Sequence, residues 1–235
     1  SITGLPGQGP VRVGIPIADL SSGLYAAIGI MVVLLAREET GRGQWVQTSL
    51  LEAQIAMLDF QAARWLMDGE VPGQAGNNHP TSIPTGVFAT EDGHINIAAS
   101  GDTIWLRFCE ALGADDLAAH PDYADGEKRS ANRDTLNAAI EVYTRRRTSA
   151  DWIEQFNQAG VPCGSINSID QVFDDPQVRH LKMAAPVAHP ALGDIEIVGQ
   201  PVTLSDVPER AYTPTPERGQ HTDDILADLG IDGAA

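Results

Sequence analysis

A long uncharged run from Leu20 to Ala36 most constrains what this chain can fold into. The run falls short of the roughly 20 apolar residues that a helix needs to cross a bilayer. It therefore predicts a helix, from about Leu20 to Thr40, that is buried in a protein core rather than in a membrane. Gly41 directly follows, where a glycine commonly ends a helix.

The carboxylate of Asp19 comes just before this predicted helix. In that place it has two possible roles. It can cap the helix by accepting hydrogen bonds from the free N–H groups of the first turn. It can also be a nucleophile that the same donors hold in place. The local sequence by itself favours the cap, and both roles stay open at this point.

The net charge limits the partners of the chain. Its 235 residues carry 15 Lys and Arg against 32 Asp and Glu, a formal charge of -17. Such a charge argues against nucleic acid and against anionic membrane surfaces as partners. An anionic substrate would then be bound by local donors, or by charges on another chain.

Cysteine and histidine usage bears on the compartment and on metal binding. Cys109 and Cys163 are far apart and form no disulfide framework, so we expect a reducing, cytoplasmic location. We expect no secretory leader, because no basic segment and apolar core follow Ser1. The six histidines are not paired at metal-ligand spacing, so we expect no metal site.

Composition divides the chain into four segments. Residues 1–69 and 181–235 flank a small α+β domain, residues 86–180, and a Gly, Pro and Asn-rich loop or linker occupies residues 70–85. Neither flank has enough strands for a core of its own. We therefore expect the flanks to form one body, which a partner completes.

The local patterns predict most elements. Trp45–Ser49 is expected to be a short strand, and the capping box at Ser49 is expected to start one helix that runs to Asp68. Further predicted elements are a hairpin of 87–90 and 94–98, helices over 102–112, 129–146 and 149–160, a strand near 161–164, helical pieces at 168–173 and 176–180, extended chain over 186–205, and a helix over 222–229.

Several motifs occur in the order typical of one enzyme family. Together they span essentially the whole chain, and the sequence resembles the class III coenzyme A transferases, a superfamily that includes formyl-CoA transferase, carnitine CoA-transferase and α-methylacyl-CoA racemase. The resemblance is to the C-terminal portion of the family, from the catalytic aspartate onward. It rests on Ala18-Asp19-Leu20-Ser21-Ser22-Gly23, Thr40-Gly41-Arg42-Gly43-Gln44, Ser49-Leu50-Leu51-Glu52-Ala53, Gly76-Asn77-Asn78-His79-Pro80, Phe108-Cys109-Glu110-Ala111-Leu112-Gly113, Gly160-Val161-Pro162-Cys163-Gly164, Asp175-Pro176-Gln177-Val178 and Gly219-Gln220-His221-Thr222.

The resemblance implies an activity and its residues. Members move coenzyme A from an acyl-CoA to a free carboxylic acid, through an aspartyl-CoA thioester on the residue that matches Asp19. No metal or redox cofactor is needed. The loop of Gly76, Asn77, Asn78 and His79 matches a glycine-rich, substrate-binding loop that closes over the site in some members, although here Asn and His replace part of the glycine run.

The resemblance also implies an architecture. The family fold is α/β, with a Rossmann-like large domain, partial here, a small α+β domain, and two chains that interlock as a homodimer. In the family, substantial sequence precedes the aspartate motif and carries many CoA contacts. The chain is therefore expected to act with that N-terminal half, whether joined to it or as a separate subunit.

Two alternatives remain. Racemases of the family use the matching aspartate as an acid or base, together with a glutamate that aligns near Gly101, where no glutamate stands; Asp102 is the adjacent acid. This favours transfer over racemisation. The other alternative is a non-catalytic half that only completes the structure of a separate polypeptide.

Overall fold

The computed structural model describes residues 2–207 and 212–231 and contains two compact units. The first unit comprises Ser1–Ser165 and the second Ile166–Ala235. This partition by compactness differs from the predicted domain bounds at 69/70, 85/86 and 180/181, which stay a prediction.

The first unit opens with three helices, α1 (Ile17–Thr40), α2 (Leu50–Ala56) and α3 (Phe60–Asp68). Helix α1 begins three residues before the predicted start, because Pro16 provides its N-cap; it ends at Gly41 in the left-handed conformation, as expected.

The prediction of a single helix from Ser49 to Asp68 is wrong, because the helix is interrupted between α2 and α3. Asp59 adopts a positive φ of 48° in this break. Ser49 is confirmed as the N-cap, because its hydroxyl accepts a hydrogen bond from the Glu52 N–H at 3.2 Å. The Glu52 carboxylate accepts from the Ser49 hydroxyl at 2.7 Å rather than from the Ser49 N–H, so the reciprocal half of the predicted capping box does not form.

The strand predicted at Trp45–Ser49 is also wrong, since these residues are irregular and pair with no strand that the structure describes. The segment lies along α1 instead. A Cβ on Gly29 would come within 2.8 Å of the Val46 side chain, so the small residue allows this close approach.

Helix α1 is not buried within this chain, contrary to the expectation from its sequence. Only 6% of its most apolar window is buried, and Ser21 is its one buried residue. Its 24 residues also make it long and apolar enough to cross a membrane, by length and composition alone. The large apolar side chains that it leaves exposed are Leu20, Leu24, Tyr25, Ile28, Ile30, Met31, Val32, Leu34 and Leu35.

A three-stranded antiparallel sheet forms the centre of the first unit. Its strands are β1 (Thr85–Ala89), β2 (His94–Ala98) and β3 (Cys163–Ser165), in that order. The predicted hairpin of β1 and β2 is confirmed, with Val87 opposite Asn96 and Phe88 opposite Ile95. Strand β3 brings distant sequence to the open side of β2, with Cys163 opposite Ile97.

Five helices surround this sheet: α4 (Asp102–Leu112), α5 (Asp115–Ala118), α6 (Gly126–Ala131), α7 (Arg133–Thr144) and α8 (Ser149–Gln158). The bounds of α4 match the prediction. The single helix predicted over 129–146 is divided into α6 and α7 at Asn132. The core between sheet and helices includes Phe88, Ile95, Ile97, Trp105, Phe108, Leu136, Ile140, Trp152 and Phe156.

The second unit contains α9 (Ile169–Asp174), α10 (Pro176–His180), the hairpin of β4 (Ala184–His189) and β5 (Gly193–Val198), and α11 (Thr222–Asp228). The extended chain predicted over 186–205 is thus an antiparallel hairpin, with Val187 opposite Ile195. The described residues form a mixed helix and sheet structure, and both sheets are antiparallel.

Candidate active site

Asp19 lies at the third position of α1, within its first turn. The N-cap is Pro16, whose carbonyl accepts a hydrogen bond from the Leu20 N–H at 3.0 Å. Asp19 is therefore not the cap, and that interpretation of the local sequence is wrong because the helix starts earlier than predicted. Its negative charge still lies at the positive end of the helix dipole, which stabilises a carboxylate.

The carboxylate of Asp19 is exposed. The neighbouring hydroxyls do not bind it, because Ser21 donates to the Ala18 carbonyl at 3.1 Å and Ser22 to the Asp19 carbonyl at 3.0 Å. Among residues 2–207 and 212–231, no side chain or N–H group makes a hydrogen bond or ion pair with the carboxylate oxygens of Asp19. Both oxygens are thus available for attack on a substrate.

The loop of Gly76 to His79 is joined to the start of β1. Asn78 forms an isolated antiparallel bridge with Gly86. The Asn77 carbonyl accepts from the Val87 N–H at 3.0 Å, and the His79 N–H donates to the Thr85 carbonyl at 2.8 Å. The loop therefore continues the edge of the sheet, and its backbone is held at each of these points.

His79 has a structural environment. Its Nδ1 accepts hydrogen bonds from the N–H groups of Thr81 and Ser82, at 3.2 and 2.9 Å. The ring stacks on Phe60 with a centroid separation of 5.4 Å. Since Nδ1 is an acceptor, the proton of the neutral ring is on Nε2, which is the nitrogen left to donate.

The structure brings the loop together with the segment that precedes Asp19. The Gly76 N–H donates to the Gly4 carbonyl at 3.2 Å, and the Gln74 amide donates to the carbonyls of Thr3 and Gly9 at 3.1 and 2.7 Å. In the part of the chain that the structure describes, no hydrogen bond joins the Asp19 side chain to the loop. Sequence reasoning missed Gln74, because its partners are distant and are backbone carbonyls.

Asp102, the acid beside Gly101, is engaged by a buried arginine. Its Oδ1 is 2.7 Å from the guanidinium of Arg129, which has no exposed surface. Arg129 also donates to the carbonyls of Ile83 and Tyr123, at 3.4 and 3.1 Å. Asp102 therefore has a structural partner, and sequence reasoning missed Arg129 because the two are far apart in the chain.

Neither cysteine is arranged as a nucleophile. Burial raises the pKa of Cys109 to about 12, with a smaller opposing effect of Arg129. Burial also raises the pKa of Cys163. Both thiols are free and protonated near neutral pH, which agrees with the interpretation of Cys163 as a packed side chain.

Comparison with known proteins identifies the family. The model of CoA-transferase family III matches residues 1–222. The chain is 32% identical to a succinyl-CoA:mesaconate CoA-transferase from Haloarcula marismortui, covering 98% of this chain and 58% of that protein. It is also 32% identical to human succinyl-CoA:glutarate CoA-transferase, covering 97% of this chain and 52% of that protein.

Solved structures agree. A CaiB/BaiF family protein from Brucella suis matches with a TM-score of 0.76 and 30% identity, over 97% of this chain and 59% of that one. The Rv3272 protein of Mycobacterium tuberculosis shares the fold, with a TM-score of 0.81 at 24% identity. The chain spans between one half and three fifths of the length of these relatives. It belongs to CoA-transferase family III.

Proposed function

We propose that the chain is the C-terminal portion of an acyl-CoA:carboxylate CoA-transferase, and that Asp19 is the nucleophile. The observation that carries this proposal is the exposed, unpaired carboxylate of Asp19 in the first turn of α1, in a chain of this family. A carboxylate suits the reaction, because both its anhydride and its thioester are activated acyl groups.

The proposed reaction has four steps. A carboxylate oxygen of Asp19 attacks the thioester carbonyl of the donor, the C–S bond breaks, and a mixed anhydride and CoA thiolate form. The thiolate then attacks the Asp19 carbonyl carbon, which releases the donor acid and leaves an aspartyl-CoA thioester. The acceptor carboxylate attacks this thioester, the C–S bond breaks, and a second mixed anhydride and CoA thiolate form. The thiolate finally attacks the acceptor carbonyl, which yields the new acyl-CoA and regenerates the Asp19 carboxylate.

We include no metal or redox cofactor in this proposal, because every step exchanges one acyl bond for another. Acyl-CoA and a carboxylic acid are the proposed substrates, and Gly76, Asn77, Asn78 and His79 the proposed substrate-binding loop. The names of the similar proteins pair succinyl-CoA with mesaconate or with glutarate, so short dicarboxylic acids are the class of acceptor to test first. A cytoplasmic location is proposed, and the two free thiols fit a reducing compartment.

The exposed apolar face of α1 supports a larger assembly. So many large apolar side chains exposed on one helix are rare on the solvent-accessible surface of a monomeric soluble protein. We propose that the active enzyme contains a further, Rossmann-like polypeptide segment against this helix, and that two such chains form an interlocked homodimer. The alternative of a half with no catalytic role fails if Asp19 forms a covalent intermediate.

Racemisation is the less favoured activity. It needs a positioned base besides Asp19, and the nearest acid to the aligned position, Asp102, is paired with Arg129. The proposed transfer reaction needs no free base at this position.

Substitution of Asp19 tests the proposal. Asp19→Asn removes the nucleophile and is expected to abolish transfer from succinyl-CoA to a dicarboxylic acid, measured as new acyl-CoA by chromatography. Since Asp19 is not the N-cap, the melting temperature should change little. Asp19→Asn enzyme that transfers CoA at the wild-type rate would contradict the assignment.

A further inference from the structure

Of the four loop residues Gly76 to His79, Asn77 alone keeps its backbone N–H free, and its side-chain amide is free as well. The backbone N–H groups of the other three donate to carbonyls, Gly76 to Gly4, Asn78 to Ala75 and His79 to Thr85. The Asn77 backbone N–H and side-chain amide make no hydrogen bond with any residue that the structure describes. Asn77 is also exposed. The loop therefore offers one residue with several unused donors.

The position of Asn77 is fixed from both sides. Its own carbonyl accepts from the Val87 N–H on β1, and the next residue, Asn78, bridges to Gly86. A Cβ at position 86 would come within 2.7 Å of both the Asn77 carbonyl oxygen and Asn78 Oδ1. Only glycine allows the loop and the strand to approach this closely, so the loop is seated on the sheet edge.

Helix α7 also contacts the loop, through the side chain of Asn137. The Asn137 side chain donates from Nδ2 to Asn78 Oδ1 at 2.8 Å, in a part-buried position. The same helix is tied to β1 further along, because Glu141 accepts from the Ala89 N–H and Thr144 donates to the Ala89 carbonyl at 2.6 Å. Asn137 thus connects a well-anchored helix to the residue that follows Asn77.

We propose that the side-chain amide of Asn77 binds a carboxylate oxygen of the acceptor acid, and that Asn137 is a positioning residue that orients Asn77 through Asn78. This inference rests on the proposed function. The chemistry matches, because a carboxylate only accepts hydrogen bonds and the Asn77 side-chain amide has two N–H donors. Because the formal charge of -17 does not attract an anionic acid to the chain as a whole, local N–H donors such as those of Asn77 are needed to bind it.

The inference predicts that the loop is a fixed platform rather than a lid. Hydrogen–deuterium exchange of the complete enzyme should then show the amides of Asn78 and His79 protected without substrate, since both are hydrogen-bonded. Asn137→Ala should lower the protection of Asn78 specifically.

A double-mutant cycle in the complete enzyme tests the two roles. Asn77→Ala and Asn137→Ala are each expected to raise KM for the acceptor acid by about three- to tenfold, as for the loss of one hydrogen bond, with kcat changed less. Asn77→Ala/Asn137→Ala should have the KM of Asn77→Ala alone, because Asn137 acts through Asn77. The lower melting temperature caused by Asn137→Ala should persist in the double variant.

Asn132→Ala is the matched control. Asn132 flanks α7, and its side chain donates two hydrogen bonds, to the carbonyls of Asp122 and Lys128, without contacting the loop. Its loss should lower the melting temperature and leave KM unchanged. An Asn77→Ala enzyme with wild-type KM would overturn the inference. So would KM effects of the two substitutions that multiply in the double variant, since Asn137 would then act independently of Asn77.

The same experiment separates this inference from the proposed function. Wild-type enzyme that loses transfer on Asp19→Asn, with no effect of Asn77→Ala, overturns the inference alone. Wild-type enzyme without transfer activity, or Asp19→Asn enzyme that retains it, overturns the proposed function and the inference together.

Discussion

Arg129 is a charged side chain without exposed surface, and it connects segments that are far apart in the sequence. Its guanidinium binds the Asp102 carboxylate and two backbone carbonyls, and it lies 5.4 Å from the centroid of the Trp105 ring. A buried charge is costly unless it is paired and fully hydrogen-bonded. Arg129 therefore fixes the start of α4 relative to the segment before β1.

Arg129→Ala is expected to lower the free energy of unfolding by about 2–4 kcal/mol, through lost hydrogen bonds and lost packing. The cost is below that of a fully buried pair, because Asp102 is 73% exposed and regains water. Urea denaturation measures the change. Arg133→Ala is the control, since its pair with Asp134 lies at the surface and should be worth about 0–1 kcal/mol. Equal effects of the two substitutions would contradict the role of Arg129.

Gly86→Ala tests the close approach of the loop to β1. The added Cβ would lie 2.7 Å from the Asn77 carbonyl oxygen, which is backbone and cannot move cheaply. We expect a loss of about 1–3 kcal/mol in the free energy of unfolding. Gly164→Ala on β3, where an added Cβ meets nothing within 4 Å, should be neutral or stabilising by up to about 1 kcal/mol. An equally stable Gly86→Ala variant would show that the loop is not seated on the strand.

At the scale of elements, the turn between β1 and β2 also organises the start of α8. Asp92 Oδ1 accepts from the Ser149 N–H at 2.7 Å, the Ser149 hydroxyl at 2.9 Å and the Thr90 hydroxyl at 3.1 Å. These hydrogen bonds, first those from Ser149, lower the pKa of Asp92 in the folded protein. The hairpin turn is thus joined to the helix through one carboxylate.

The lowered pKa makes stability depend on pH. The unfolded chain binds a proton to Asp92 at a higher pH than the folded protein does, so this stabilisation is present above the ordinary Asp pKa of about 3.9. It is lost as the pH falls through the lower pKa of the folded state. Between pH 5 and pH 2, roughly, Asp92→Asn should flatten the decline of the melting temperature. Asp134→Asn, which keeps the Asp92 contacts, should retain the wild-type decline, and an unchanged slope in Asp92→Asn would contradict the account.

Elements defined by short-range signals were predictable from the sequence, and elements defined by distant contacts were not. The turn residues around Gly93 predict the hairpin of β1 and β2, and Gly113 predicts the end of α4. The break before α3 depends on the positive φ of Asp59, which no glycine or proline announces. In the site, Asp19 follows from sequence resemblance, whereas Arg129 and Asn137 act on residues far away in the chain and carry no local signal.

At the scale of the whole molecule, the main feature is the apolar face of α1. Within this chain that face has few partners, although the small α+β core of the same unit is well packed. The sequence correctly predicts an apolar helix. It does not predict what packs against this helix, because hydrophobic periodicity identifies the apolar side of a helix and not the element that covers it.

The 235-residue chain alone is therefore expected to bind an apolar dye such as ANS more strongly than the complete enzyme does, and to self-associate. ANS fluorescence and sedimentation at matched concentration measure both properties. The Leu35→Lys variant, at a site that is 73% exposed, should reduce dye binding of the isolated chain and impair assembly of the complete enzyme. Equal dye binding by chain and complete enzyme would mean that nothing further covers α1.

The central claim is covalent chemistry at Asp19, and peptide mass spectrometry tests it most directly. The complete enzyme is incubated with an acyl-CoA donor, with and without hydroxylamine, and the peptide that contains Asp19 is analysed beside that of the Asp19→Asn variant. The account predicts a CoA adduct on Asp19, converted to a hydroxamate by hydroxylamine and absent in the variant. An enzyme that transfers CoA without any adduct on Asp19, or with an adduct on another residue, would contradict it.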